Sequence, residues 1–102
     1  MLFQLTMFPT DKKGISGSAD VARVIDLIDR SGLPYRLNAM STIIEGDWNS
    51  VMNLIDRARR MLRKRHSRIY IIITIDDRKG AKKRISGKID SIEKQLRRKV
   101  VA

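Results

Sequence analysis

Few residues in this 102-residue chain are equipped for chemistry. The single histidine, His66, lies in a cationic run with no obvious partner, and there is no cysteine. Without thiolates, a second histidine, a D-x-D pair or a glycine-rich phosphate loop, neither metal nor phosphoryl chemistry has a template. Asp76 and Asp77 are adjacent acids, a pair more often solvated or ion-paired in a turn than coordinated to Mg²⁺. Catalysis is therefore not expected. The polar residues that alternate with apolar ones along the predicted strands, Gln4, Thr6, Arg36, Asn38 and Thr74 among them, suit docking of a ligand rather than its turnover.

Those residues must be carried by regular elements, and the apolar periodicity supplies them. Leu2 to Phe8 is short and β-prone and is stopped by Pro9. Asp11 to Gly17 reads as a loop. Ser18 is a helix N-cap with Asp20 in the first turn, followed by Val21, Val24, Ile25 and Ile28 on one face and Gly32 at the C-cap. Tyr35 to Met40 and Thr42 to Glu45 are two strands of a hairpin turning near Met40 and Ser41. Asp47 caps a second helix whose apolar stripe is Trp48, Val51, Met52, Ile55, Met61 and Leu62. Trp48 is expected in the core. Arg68 to Ile75 is the clearest strand, Asp76 to Gly80 a turn, and Ile85, Ile89, Ile92 and Leu96 mark a final helix. Asp90 with Lys94 and Glu93 with Arg97 are i,i+4 pairs on it.

The order β-α-β-β-α-β plus a helix predicts an α+β fold, a ferredoxin-like sandwich with an additional C-terminal helix, as one domain over residues 1–102. One sheet face packs on the helices and the other stays open. Alternation puts Ile69, Ile71, Ile73 and Ile75 with Phe3, Leu5 and Met7 on the helix side. Gln4, Thr6, Arg36, Asn38, Tyr70, Ile72 and Thr74 fall on the open side. A face half apolar and half hydrogen-bonding docks another sheet, a ligand or both, so a homo-oligomer formed by sheet stacking is expected.

Read as strings, the chain resembles the small thiamine-binding YkoF-like family, ferredoxin-like proteins that assemble as dimers and tetramers. The resemblance rests on Ser18 opening the first helix, the run Ser31-Gly32-Leu33-Pro34-Tyr35, the set Met40, Thr42, Glu45 and Gly46, and the set Asp76, Arg78, Lys79 and Gly80. It extends from about Phe3 to Leu96. What it implies is non-catalytic binding of thiamine or its hydroxymethylpyrimidine part, or a phosphorylated form, near the sheet and a subunit interface. On that resemblance Ser18, Asn38, Thr42 and Glu45 complement the aminopyrimidine edge, and Met40, Ile44 or Tyr70 pack on the ring. Glu45 offsets the thiazolium charge. Asp76 and Arg78 fix the turn or a subunit contact by pairing, or meet the ligand.

Charge is the feature that the resemblance does not explain. The net charge is +11, made of −2 over residues 1–56 and +13 over residues 57–102. Arg57, Arg60, Arg63, Lys64 and Arg65 head a dense cationic run, with Lys82, Lys83 and Arg84 adding to it. The alternatives are a nucleic-acid partner, a purely structural oligomer, or a solvated charged surface. The strand TIIE lacks the aromatic that an RNA-recognition sheet stacks on bases. No apolar run reaches membrane length and no positive n-region precedes the first strand, so a cytoplasmic protein is expected.

Overall fold

In the computed structural model, residues 1–11, 17–80 and 82–101 are described, apart from the side chains of Gly17 and Ser18. The elements run β1 (Leu2–Pro9), α1 (Gly17–Arg30), β2 (Tyr35–Leu37), β3 (Thr42–Glu45), α2 (Trp48–Arg63), β4 (Ile69–Asp76) and α3 (Arg84–Leu96). The strands form one antiparallel sheet in the order β2-β3-β1-β4. Central placement of β1 and β3, with each β-α-β connection crossing one strand, is the ferredoxin-like arrangement expected from the element order.

Registers fix which residues share a face. Phe3 pairs with Ile44 and Ile75, and Leu5 with Thr42 and Ile73, so these point together beneath α1 and α2. The core gathers Phe3, Leu5, Met7 and Ile44 from the sheet, Val24 and Ile28 from α1, and Val51, Leu54, Ile55, Ala58 and Leu62 from α2. The β4 isoleucines Ile69, Ile71, Ile73 and Ile75 pack against this core but are only part-buried, since β4 is an edge strand. The opposite face carries Gln4, Thr6, Phe8, Arg36, Ile43, Tyr70, Ile72 and Thr74. Phe8 and Tyr70 stack there with centroids 5.6 Å apart, and both are exposed along with Ile72.

Several sequence expectations need correction. α1 begins at Gly17, so the backbone of Ser18 lies inside the first turn rather than at the cap. The Ser18 side chain lies outside the described residues. β2 ends at Leu37, three residues early, because Asn38 N–H turns back to the Ser41 carbonyl at 2.9 Å and closes the connection. Trp48, expected in the core, is half exposed: as the first residue of α2 it meets Phe3 only at a tilt, with centroids 6.3 Å apart and ring planes at 53°. Leu54 and Ala58 fill the interior instead. Two local expectations hold. Asp47 caps α2 by accepting the Ser50 N–H at 3.2 Å, and Gly32 adopts φ +78° after α1. Gly46 serves a close approach: a Cβ there would lie 2.9 Å from Val51 Cγ2, so the β3–α2 passage needs a residue without one.

α3 stands apart from this packing. It has no buried residue, and Ile92 and Leu96 on its apolar stripe are exposed. Its pairings also differ from expectation. Glu93 engages Lys99 at 3.6 Å and accepts the Val100 N–H at 2.8 Å, because Arg97 turns left-handed at the C-cap with φ 56°. No helix among the described residues is long and apolar enough to cross a membrane.

Candidate functional site

The expected ligand residues do not form one cluster. Asn38, Met40 and Thr42 line a cleft of about 150 Å³ with Leu5 to Phe8 of β1, Val21, Val24 and Ile25 of α1, and Leu37. The cleft exists because β2 is short. The β1–β3 ladder stops at Leu5 opposite Thr42, while β1 continues to Pro9 against β4 alone. Beyond the ladder's end, residues 38–41 swing toward the open face, where the Thr6 hydroxyl donates to the Met40 carbonyl at 3.1 Å. Space is left between that turn, the edge of β1 and the N-terminal half of α1. Its walls are mainly apolar, with polar groups at Asn38, Ser41 and Thr42. Thr42 is buried there. Met40 is 88% exposed at the mouth.

Glu45 lies three residues further along β3, about 10 Å away at the rise of a strand. Its carboxylate accepts the N–H groups of Arg84 at 2.9 Å and Ile85 at 3.3 Å. These are orphan donors of the first turn of α3, whose preceding residue Lys83 is left-handed and supplies no side-chain cap. Glu45 is thus the cap of α3, supplied from a strand. Asp76 also engages α3. Sequence suggested a pairing with Arg78, but Asp76 bonds to Arg84, whose guanidinium holds that carboxyl below its ordinary range while burial opposes and Arg78 adds a smaller pull. Arg78 lines a cationic hollow with Lys82, Arg84 and Lys88. Tyr70 stays on the open face against Phe8. Arg57, Arg60, Arg63, Lys64 and Arg65 are exposed on α2 and just past it, and none lines the cleft. Arg60 is held by Asp56.

One buried polar cluster escaped the sequence reading. His66 lies between Asp11, at 2.7 Å from Nδ1, and Asp20, at 3.1 Å from Nε2, with all three side chains nearly inaccessible. Asp11 also accepts the Ser67 N–H at 2.6 Å and the Ser67 hydroxyl at 3.2 Å. The hydrogen bond to Asp11 raises the His66 pKa, burial opposes this, and Asp20 adds to the rise. Burial pushes the Asp11 carboxyl up, but the Ser67 and His66 contacts outweigh it and hold Asp11 below its ordinary value. With a carboxylate at each ring nitrogen, His66 has no free nitrogen to offer a substrate. It is a clamp joining the end of β1, α1 and the α2–β4 connection. Only the separation of 55 residues hid it, since Asp11 and Asp20 looked like loop and first-turn acids.

A family model described as thiamine-binding protein matches residues 3–93. A UPF0045 protein of Mycobacterium bovis is 35% identical over 79 residues, covering 76% of this chain and 78% of the relative. A UPF0045 protein of Methanothermobacter thermautotrophicus is 25% identical over 95 residues, covering 91% and 96%. Among solved structures, a protein of Methanocaldococcus jannaschii superposes with TM-score 0.79 at 26% identity, over 89% of this chain and 93% of that one. A Thermotoga maritima protein provisionally assigned to thiamine biosynthesis or salvage superposes at 0.77 with 21% identity, over 89% and 96%, which speaks to the fold. The chain belongs to the thiamine-binding protein family.

Proposed function

We propose that this protein binds thiamine or its hydroxymethylpyrimidine part, without turning it over, in the cleft between β1, the β2–β3 connection and α1. The observation that carries the reading is the convergence of Asn38, Met40 and Thr42 on one mainly apolar cleft, with Thr42 buried within it. A flat heteroaromatic ring needs apolar walls and a few fixed polar groups, and this cleft offers both. Its volume of about 150 Å³ lies below the roughly 300–1,000 Å³ of sites for larger ligands, so it suits a single ring. The thiazolium of intact thiamine would extend past Met40 into solvent or toward a second copy. Glu45 and Asp76 belong to α3 in this reading and leave recognition to the cleft.

The same reading includes a homo-oligomer. Exposed Phe8, Tyr70 and Ile72 on the open sheet face and Ile92 and Leu96 on α3 are apolar surfaces that association would bury. The exposed cations Arg57, Arg63, Lys64 and Arg65 support a second, separate role in holding polyanions; such binding would collapse steeply with salt and be indifferent to thiamine.

Calorimetric titration with thiamine, thiamine diphosphate and hydroxymethylpyrimidine tests the main reading. Saturable binding is expected, with Thr42→Val weakening it by about tenfold, the effect of removing one hydrogen bond from a desolvated site. Absence of saturable binding by all three compounds overturns it.

A further inference from the structure

The edge of β1 that faces the cleft has a definite hydrogen-bonding parity. Met1 and Gly46 exchange both backbone bonds, Met1 N to Gly46 O at 2.9 Å and Gly46 N to Met1 O at 3.1 Å. In an antiparallel ladder such pairs recur every second residue. The odd residues of β1 therefore aim N–H and C=O toward β3, pairing Phe3 with Ile44 and Leu5 with Thr42. The even residues aim toward β4, and Thr10 continues that series by donating to the Arg68 carbonyl at 3.0 Å. Met7 is the next odd residue, and in register it would face Met40. Met40 has left the ladder, its carbonyl taken by the Thr6 hydroxyl. The N–H and C=O of Met7 consequently point into the cleft, and among the described residues neither has a backbone partner.

The next odd position is Pro9, which has no N–H. The open edge beyond Leu5 thus presents a single donor, at Met7, beside that residue's own acceptor. Such an edge is too short for an added peptide strand, which needs a donor at every second residue, and proline at an edge blocks strand addition. It fits a small ring that carries one acceptor next to one donor. A 4-aminopyrimidine has that pattern: a ring nitrogen to accept from Met7 N–H and an exocyclic amine to donate to Met7 C=O.

We propose that the main chain of Met7 is the group that reads the aminopyrimidine edge, with the ring lying in the cleft as a one-rung extension of the sheet between Met7 and the Asn38–Thr42 segment. This deepens the pyrimidine-binding reading and rests on it. The Met7 side chain stays in the core, so recognition here depends on strand geometry and not on side-chain identity.

The test is amide-resolved NMR on the full ¹⁵N-labelled chain, titrated with hydroxymethylpyrimidine and with the same pyrimidine lacking its 4-amino group. In the free protein the Met7 amide is expected to exchange with solvent faster than those of Thr6 and Phe8, which pair with β4. On saturation its proton resonance moves downfield and its exchange slows by about tenfold or more, and the desamino compound binds about tenfold more weakly. Saturable binding that leaves the Met7 amide unmoved, or equal binding of the desamino compound, overturns this assignment while leaving the pyrimidine reading in place. Strong protection of the Met7 amide before any ligand is added also overturns it, since the edge is then occupied by protein. No binding of either compound removes both readings.

Discussion

Replacing Glu45 by alanine should detach one element while leaving the rest of the fold in place. Both carboxylate oxygens of Glu45 cap the first turn of α3. Little else holds that helix: it buries no residue, and its other anchor at this end is the pair of a part-buried Arg84 with an exposed Asp76. A helix of 13 residues is marginal alone, so its local stability depends on such contacts. Losing a cap typically costs about 0.5–2 kcal/mol, which is roughly a 2- to 30-fold rise in the population of the opened helix. Hydrogen exchange followed by mass spectrometry reads this directly. Peptides covering residues 84–96 should exchange faster by that factor in Glu45→Ala, while those covering β1 and β4 keep wild-type rates. Glu45→Gln, which retains one acceptor oxygen, should fall between. Hydroxymethylpyrimidine affinity should stay within about twofold of wild type, because the carboxylate lies roughly 10 Å along the strand from Thr42. Unchanged exchange in α3 would refute the capping argument. Loss of pyrimidine binding with α3 exchange unaltered would return Glu45 to the ligand.

The buried clamp makes stability depend on pH from both sides. The raised pKa of His66 means its contribution is complete below the unfolded histidine value near 6.5 and fades as pH rises through the raised folded value. The lowered pKa of Asp11 means its contribution is present above the ordinary value of 3.8 and fades as pH falls through the lowered one. Thermal unfolding across pH should show a plateau between these limits, and His66→Gln should flatten the alkaline limb; an unaltered alkaline limb would rule out the clamp as its source. Phe3→Ala should cost about 3–5 kcal/mol in urea denaturation, since Phe3 is fully buried where β1, β3 and β4 pack beneath α2. A loss below about 1 kcal/mol would mean the core sits elsewhere. Ile72→Lys on the open face should disperse the proposed oligomer in sedimentation velocity without changing the far-ultraviolet dichroism; an intact assembly would move the contact to α3.

Element order and faces were legible because the relevant patterns are local. Alternation in Arg68 to Ile75 assigned the four isoleucines to the helix side, and the antiparallel register with Phe3 and Leu5 agrees. Asp47 as a cap and Gly32 as a stop follow from backbone chemistry within a few residues. What failed turned on where an element begins or ends, or on distant partners. Trp48 carries the right residue type for the core, but its place at the first turn of α2 leaves it half exposed. Glu93 sat four residues from Arg97 as an ion pair requires, yet the helix ends at that point and the acid serves the following turn. Asp11, Asp20 and His66 gave no signal at all, because their association is created only when the β1 exit meets the α2–β4 connection.

The candidate site divides the same way. Thr42 and Met40 were reachable from sequence as polar and soft residues at a strand turn, whereas the role of Glu45 was not, since an acid ending a strand looks alike whether it faces a ligand or a helix. The less visible feature is where β2 stops. Tyr35 to Met40 has the composition of a six-residue strand, but the register that pairs Leu37 with Thr42 puts Asn38 opposite Ser41, so the hairpin turns at Ala39 and Met40 just where β3 would meet Met7. The turn from Asn38 to Ser41 and the bond from Thr6 to Met40 divert the chain instead. A side chain that stabilises that diversion therefore shapes the cleft as well as lining it. Thr6→Val, which removes the donor but keeps the shape, should release the Met40 carbonyl and let the β1–β3 ladder extend toward Met7. Pyrimidine affinity should then fall, and the Met7 amide should become protected in the free protein. If affinity falls while that amide stays exchangeable, the ladder has not extended and the cleft is shaped by something other than the Thr6 bond.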